Sequence, residues 1–531
     1  MNIVSQIQEG KTSLGIELGS TRIKAVIVGE DFLPIASGSY SWENKLENGI
    51  WTYGVEDIKE GLQECYKSLS QKVYSKYGIY INKFASIGIS AMMHGYLAFD
   101  KEDNLLTPFR TWRNTTTGQA AEILSKTFNY NIPQRWSIAH LYQAILNKEE
   151  HIGKISFITT LAGYVHWLLT GEKVLGVGDA SGMFPIDWKK QDYNLEMISS
   201  FEELVKESSL GWRLKDILPK IIPAGYFAGN LTEKGAELLD TTGILKSGIP
   251  FCPPEGDAET GMVATNSIAP KTGNVSAGTS IFAMVVLEND LSTMHKEIDI
   301  VATPSGSPVA MVHCNNCTTE LDVWVNMYHD FLKTMGFDLP KNILYDKLYD
   351  IALSSAADCS DIIIYNYHSG EPVTGFTDGV PLMIHGAKSD FNASNIMRSL
   401  IYSCLATLKI GMDILLKQEN VKIENMLAHG GLFKSPITGQ RFLSASLEVP
   451  VTVMQSAGEG GAWGIALLAA YSARSDKDET LEEFLQSKVF AMQKGLTLNP
   501  YKTDVKGFEK YMEKYKQGLA VERSAVSLNI N

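Results

Sequence analysis

Apolar residues in the first hundred positions come in short β-type runs. "LGIEL" and "IKAVIVG" flank the small-residue turn Gly19-Ser20-Thr21 and predict a hairpin, with Gly19 relieving the backbone at the bend. "FASIGISAMMHGYLAFD" predicts two further strands, "SIGIS" and "YLAFD", with "AMMHG" at the end of the first. "FITTLAGYVHWLLTGE" has helical spacing and reaches Gly171, a plausible C-cap. "PPEGDAETGMVATN" leads from a proline-stiffened loop into a helix-compatible run, and Asp257 at the junction reads as an N-cap.

The second half opens on the same layout. "GNVSAGTSIFAMVVLE" reads as strand, Gly-Thr-Ser turn, strand. "NIMRSLIYSCLATLKIGMDILLKQ" is a long helix with apolar periodicity. "NMLAHGGLFKSPITGQRFLSASLEVPVTVMQ" gives a strand, a Gly-Gly turn, a helix and a second strand, and "EGGAWGIALLAAYSA" a glycine-started helix. Two β-rich openings, each followed by mixed α/β structure, predict two related α/β domains. The join falls near "NSIAPKTGN", where Pro270 and Gly273 punctuate the chain. A ligand is expected between the halves, where closure excludes water.

Length agrees with this division, since 531 residues exceed one hydrophobic core. The formal net charge of −13 argues against a nucleic-acid partner, which needs a basic face. A nucleotide can still be bound through backbone amides, a metal ion and a few cations. The six cysteines are scattered; Cys314 and Cys317 lack a second ligand pair at zinc-site spacing and read as reduced thiols. The start "MNIVSQIQEGKTS" has no apolar signal core, and the longest apolar stretches, such as "AWGIALLAAY", read as too short for a bilayer. A cytoplasmic protein without membrane association is expected.

Six segments in order resemble the FGGY carbohydrate kinases of the actin/hexokinase/heat-shock-ATPase superfold, the ketopentose kinases in particular. They are "GIELGSTRIKAV", "MMHG", "TWRN", "HWLLTGEKVLGVGDASGMF", "PEGDAETG" through "GNVSAGTS", and "AHGGLFKSPITGQ" through "EGGAWGIALLA". The resemblance implies an α/β protein of two duplicated actin/hexokinase-like (ribonuclease H-like) domains with an interdomain cleft. Its N-terminal domain, 11–268, would hold the sugar and the catalytic aspartate. Its C-terminal domain, 269–500, would hold the nucleotide, with 501–531 as an extension.

The implied reaction transfers phosphate from ATP, with Mg²⁺, to the terminal hydroxyl of a ketopentose, D-xylulose first and L-ribulose or another ketose as alternatives. Such transfer needs held phosphates, an acceptor hydroxyl in line and a group to take its proton. By resemblance Asp257 is that base, and an ordinary aspartate with a pKa of about 4 is charged at neutral pH. Met93 and His94 would line the sugar pocket. Trp112 and Arg113, with Asn114, are further candidates there, and Trp112 reads equally as a core residue. Gly19, Ser20 and Thr21 would form the first phosphate turn, and Gly278 and Thr279 the second; a tight turn without a ligand is the bland alternative at each. Gly430, Gly431, Ser435 and Gln440 match the adenine-side motif. Glu17 stands where the family has an aspartate that holds the metal's water shell; it is one methylene longer, so its reach toward Mg²⁺ changes. Glu259 is read as structural. A homodimer is left open, as is a second class of function, a sugar- and nucleotide-binding sensor with little catalysis.

Overall fold

The computed structural model describes residues 2–528 apart from 209, 436, 455–459, 475 and 494. Glu459, which begins the "EGGAWGIALLA" segment, lies outside the described residues. The chain runs through β1 (Ser13–Leu18), β2 (Arg22–Val28), β3 (Pro34–Ser41), α1 (Val55–Tyr77), β4 (Ser86–Ala91), α2 (Leu161–Thr170), α3 (Val177–Ser181), β5 (Glu255–Gly256) and α4 (Asp257–Ala264). It continues with β6 (Thr272–Ala277), β7 (Ile281–Val286), β8 (Pro308–Cys314), α5 (Thr319–Thr334), α6 (Ala393–Asp413), β9 (Asn425–Gly430), α7 (Thr438–Leu447) and β10 (Val451–Met454). Last come α8 (Gly460–Ser472), β11 (Gly495–Leu498) and α9 (Lys502–Val526).

Two compact units result. One comprises residues 1–268, 300–309 and 458–492; the other comprises 269–299, 310–457 and 493–531. The sequence places one join after residue 268. In the structure the chain also returns to the first unit twice, the second time with α8.

The strand order β3-β2-β1-β4-β5 of the first unit recurs as β8-β7-β6-β9-β10 in the second. In each, an antiparallel hairpin contributes its first strand to a parallel pair, β1 with β4 and β6 with β9. The pairs β4–β5 and β9–β10 are also parallel. That shared topology is the duplication expected from the two hairpin openings.

In the first unit, the inward residues of β1, β2 and β4 join Leu62, Leu69, Leu161 and Val165 of α1 and α2 in one core. Burying such side chains contributes roughly 1.5–3 kcal/mol each. Helix α8 is apolar all round and buried over nearly its whole length, as such helices must be. It lies so close to α4 that a Cβ on Gly464 would sit 1.9 Å from the Thr260 carbonyl oxygen. Glycine there lets one helix backbone rest on the other.

In the second unit α6 forms the centre. It continues through a π-helical turn to Gln418, and this helix, Ala393–Gln418, corrects the reading that no apolar stretch could span a bilayer. Its 26 residues are long and apolar enough, but 83% of its most apolar window is buried inside the protein. All six cysteines are buried and unpaired.

Helix α9 belongs to the second unit's packing. Asp504 at its start accepts hydrogen bonds from Arg398 of α6 (2.5 Å) and Arg441 of α7 (2.6 Å). Arg398 and Asp504 are both 2% exposed in their side chains, so removing one partner strands a buried charge. Asp504→Ala is expected to lower stability by about 3–5 kcal/mol in urea unfolding. A loss below about 1 kcal/mol would show that α9 is dispensable to the unit.

Candidate active site

Three parallel strands bring the first unit's candidate residues to their carboxyl ends. Glu17 and the turn Gly19-Ser20-Thr21 close β1, Met93 and His94 follow β4, and Asp257 follows β5. The carboxyl edge of such a sheet is where ligands bind in open α/β folds.

Asp257 is not the N-cap of α4. Gly256 takes that position in extended conformation because it is still paired with Ala91 of β4, and Asp257 is the first helical residue. Its Oδ1 accepts the Met93 N–H at 3.2 Å. The residue is half-buried. Burial pushes its carboxyl up to about 6, against the Met93 and Ala258 amides, which favour the charged form. It is therefore mostly ionised at neutral pH but close to titrating.

His94 is 4% exposed and holds a left-handed backbone, φ 66°, with Gly95 at φ 86° after it. A non-glycine residue in that region is strained, and such strain gathers at functional sites. His94 Nδ1 lies 3.1 Å from the Gly182 carbonyl oxygen, and its ring stacks on Trp136. Trp112 is 39% exposed, which rules out the core reading; its indole N–H donates to Ser20 Oγ at 3.3 Å. Arg113 lies over the Trp51 ring at 3.8 Å. Asn114 is buried and exchanges hydrogen bonds with the Trp51 backbone at 2.9 Å each way, so it braces a neighbouring hairpin.

The first turn has its carbonyls tied back. Gly19 O accepts from the Trp42 indole (2.7 Å), Ser20 O from the Tyr53 hydroxyl (2.6 Å) and Thr21 O from Trp42 N–H (3.2 Å). With the negative ends of the peptide dipoles held by protein donors, the turn can offer an anion its positive side. Glu17 stands beside it, across from Lys24 on β2. Its Oε2 accepts the Ala462 N–H in the first turn of α8 at 3.1 Å. Burial, and then the Asp257 charge, push Glu17 up to about 7. A Cβ on Gly461 would meet Glu17 Oε1 at 2.4 Å, so the bare helix start makes room for the longer carboxyl.

The second unit repeats the device. Gly278 O accepts from Thr318 N–H (3.1 Å) and Oγ1 (2.9 Å), and Thr279 O from Cys317 N–H (2.9 Å). Gly430, the last residue of β9, and Gly431 after it are exposed. Gly430 has φ 103°, and a Cβ there would lie 2.3 Å from the Ala277 carbonyl oxygen, so its bareness already has a packing cause. Ser435 donates to Asp346 at 2.6 Å. Gln440 is buried and donates to the carbonyls of Val451 (2.7 Å) and Leu496 (2.6 Å), joining β10 to β11 and facing no open surface.

Sequence reasoning missed a second group of acids. Asp179 of α3, Glu255 of β5 and Glu259 of α4 are at most 1% exposed. Burial first pushes all three up, Asp179 to about 7, Glu255 to about 8 and Glu259 well above the usual carboxylate range; the Asp257 charge adds to it at Asp179, the Asp179 charge at Glu255, and the charges of Glu255, Asp179 and Asp257 at Glu259. The sequence signal was the pair of glutamates flanking Asp257 at two-residue spacing. The anchors Trp42 and Tyr53 carried no such signal.

The description "FGGY family of carbohydrate kinases" fits both parts of the chain, its N-terminal domain over residues 12–264 and its C-terminal domain over 273–473. Xylulose kinase of Haemophilus influenzae is 22% identical over 520 residues, covering 94% of this chain and 98% of that protein. Ligand-bound xylulose kinase from Lactobacillus acidophilus superposes with a TM-score of 0.77 at 18% identity, covering 97% of this chain and 98% of its own. Gluconate kinase from the same organism gives 0.78 at 18% identity, with 98% and 99% covered.

The contact between Glu17 and the start of α8 can be tested without a ligand. Gly461→Ala should cost about 1–3 kcal/mol in urea unfolding by crowding Glu17. Glu17→Asp should cost less in the Gly461→Ala background than in the wild type, with a coupling of about 0.5–3 kcal/mol. Strict additivity would place the two residues apart.

Proposed function

We propose, for a chain that belongs to the FGGY family of carbohydrate kinases and is an ATP-dependent sugar kinase, that the acceptor is the terminal hydroxyl of D-xylulose and that Asp257 is the base. The observation that supports this most is the hydrogen bond from Met93 N–H to Asp257 Oδ1. It ties the "MHG" segment, which resembles that of the xylulose-kinase branch, to the carboxylate that would take the proton. The acceptor oxygen is a poor nucleophile until its proton leaves, and a carboxylate within about 3 Å can both aim it and accept that proton.

The remaining roles are part of the same reading. The Gly19-Ser20-Thr21 and Gly278-Thr279 turns hold phosphate oxygens through amides and hydroxyls. Trp112 presents an exposed apolar face to the sugar, and His94, Met93 and Arg113 frame the pocket. Gly430 and Gly431 leave bare backbone for the nucleotide. Ser435 and Gln440 support that segment from behind, since their side chains are bonded to protein.

Magnesium fits the donors present. Glu17 is a hard oxygen ligand beside a phosphate turn, and Mg²⁺ commonly takes one or two carboxylates plus phosphate oxygens and water. Among the described residues no group of three or more acidic, histidine or cysteine side chains could hold a metal ion. In this reading the nucleotide holds most of the metal, with Glu17 on its water shell. When bound, the ion would neutralise charge on the phosphates.

A panel of D-xylulose, L-ribulose, other ketoses and gluconate with coupled ADP detection tests the acceptor. D-Xylulose should give the highest kcat/KM, and a higher value for another acceptor would reassign it. Asp257→Asn should cut kcat by about 100-fold or more while sugar affinity changes little. In the wild type, kcat/KM should fall as pH drops through about 6, where Asp257 gains its proton. Activity that stays level down to pH 5 would place the base elsewhere.

A further inference from the structure

Asp257 lies between two buried glutamates. Glu255 precedes it by two residues on β5, and Glu259 follows by two on α4. Glu255 Oε2 accepts the Asp179 N–H at 2.8 Å, and Thr160 Oγ1 donates to Asp179 Oδ2 at 2.6 Å. A Cβ built on Gly178 would lie 2.5 Å from Glu259 Cγ and 2.6 Å from Glu255 Oε2, which sets the two glutamates around one point. A Cβ on Gly256 would lie 2.3 Å both from Glu259 Oε2 and from Met93 Cγ. The Glu259 carboxyl thus stands next to the residue whose amide holds Asp257.

Four oxygens of this cluster have no hydrogen-bond partner among the described residues: Asp179 Oδ1, Glu255 Oε1 and both oxygens of Glu259. The Glu259 carboxyl has only its own backbone N–H acting on it favourably. As three anions the groups would place like charges together out of water, which is prohibitive. Two protons resolve this. Two protons leave a single negative charge on the three carboxyls and supply two O–H donors for the unpartnered oxygens.

We propose that Asp179, Glu255 and Glu259 share two protons and in that singly charged state clamp α3 to the start of α4, with Glu259 the positioning residue that keeps Asp257 in place. The proposal rests on Asp257 as the base. The groups facing Glu259 are Glu255 on β5, Asp179 on α3 and Asp257 on its own helix. Tyr193 lies behind Asp179 and Cys252 behind Glu255, and burial keeps both neutral far above physiological pH. Deprotonation of the cluster at alkaline pH would drive α3 and α4 apart and carry Asp257 from the acceptor.

The sign on stability is definite. The folded cluster binds protons that the unfolded chain has released above pH of about 4–5, so stability falls as pH rises above that range and goes on falling through about 8, where Glu255 titrates, since Glu259 is raised as well. The test compares wild type with Glu259→Gln. Infrared spectra of the wild type at pH 7 should show a carboxylic-acid C=O band that fades on raising the pH, and the variant should show less of it. The wild-type unfolding midpoint should fall between pH 5 and 8, and that of the variant less steeply. With D-xylulose and ATP, kcat should decline as pH rises through about 8 in the wild type, and the decline should be shallower in the variant, which has one ionisable group fewer, with KM for sugar little changed. No acid band in the wild type at pH 7, or an equally deep alkaline decline in a folded variant, overturns the proposal. If Glu259→Gln fails to fold, Glu255→Gln is read in its place, since Glu17 is also raised to about 7 and adds to the wild-type band. The spectrum and the unfolding profile also read protonation directly, so they separate failure of the clamp from failure of Asp257 as base.

Discussion

The first unit's site depends on keeping a carboxylate charged and aimed in a half-buried place crowded with other carboxyls. One hydrogen bond, from Met93 N–H to Asp257 Oδ1, serves both needs. A bond from an amide to an ionised acceptor contributes about 1.5–3 kcal/mol, and it opposes the burial that raises the aspartate's pKa. The bond exists because β4 and β5 are parallel neighbours that end together, so Met93, two residues past one strand, meets Asp257, one residue past the other. The strained His94 backbone follows at once, turning the chain away after the amide has been placed.

The two turns proposed to hold phosphate express the same economy on duplicated sheets. Each follows the first strand of an antiparallel hairpin, and each has its carbonyls held by donors from behind. The donors differ: aromatic side chains in the first unit, and the backbone and hydroxyl at the start of α5 in the second. What recurs is the polarity presented by the turn.

Much of this was legible in the chain. Both hairpins, the strand before "MMHG", the helix capped at Gly171 and the helix from Asp257 all stand where the apolar periods and small-residue turns put them. The duplication followed from two such openings, and the FGGY family from six segments in order. What was not legible depends on contacts distant in sequence. Gln440 reads as a nucleotide contact until two strand carbonyls are found on its amide. Trp112 could be core or surface until its exposure is known. Helix α8 returns to the first unit because its backbone packs on α4, and a linear reading gives no sign of that. Glu259 reads as structural in the sequence, and only its burial shows that it belongs to a set of buried acids.

The most direct test of the account is a crystal structure of the complex with D-xylulose and a non-hydrolysable ATP analogue. The account predicts that the carboxylate oxygen closest to the sugar's terminal hydroxyl belongs to Asp257, at about 3 Å or less, with Met93 N–H still on its other oxygen. A terminal hydroxyl bonded instead to Glu17 or another acid, with Asp257 turned away, would contradict it.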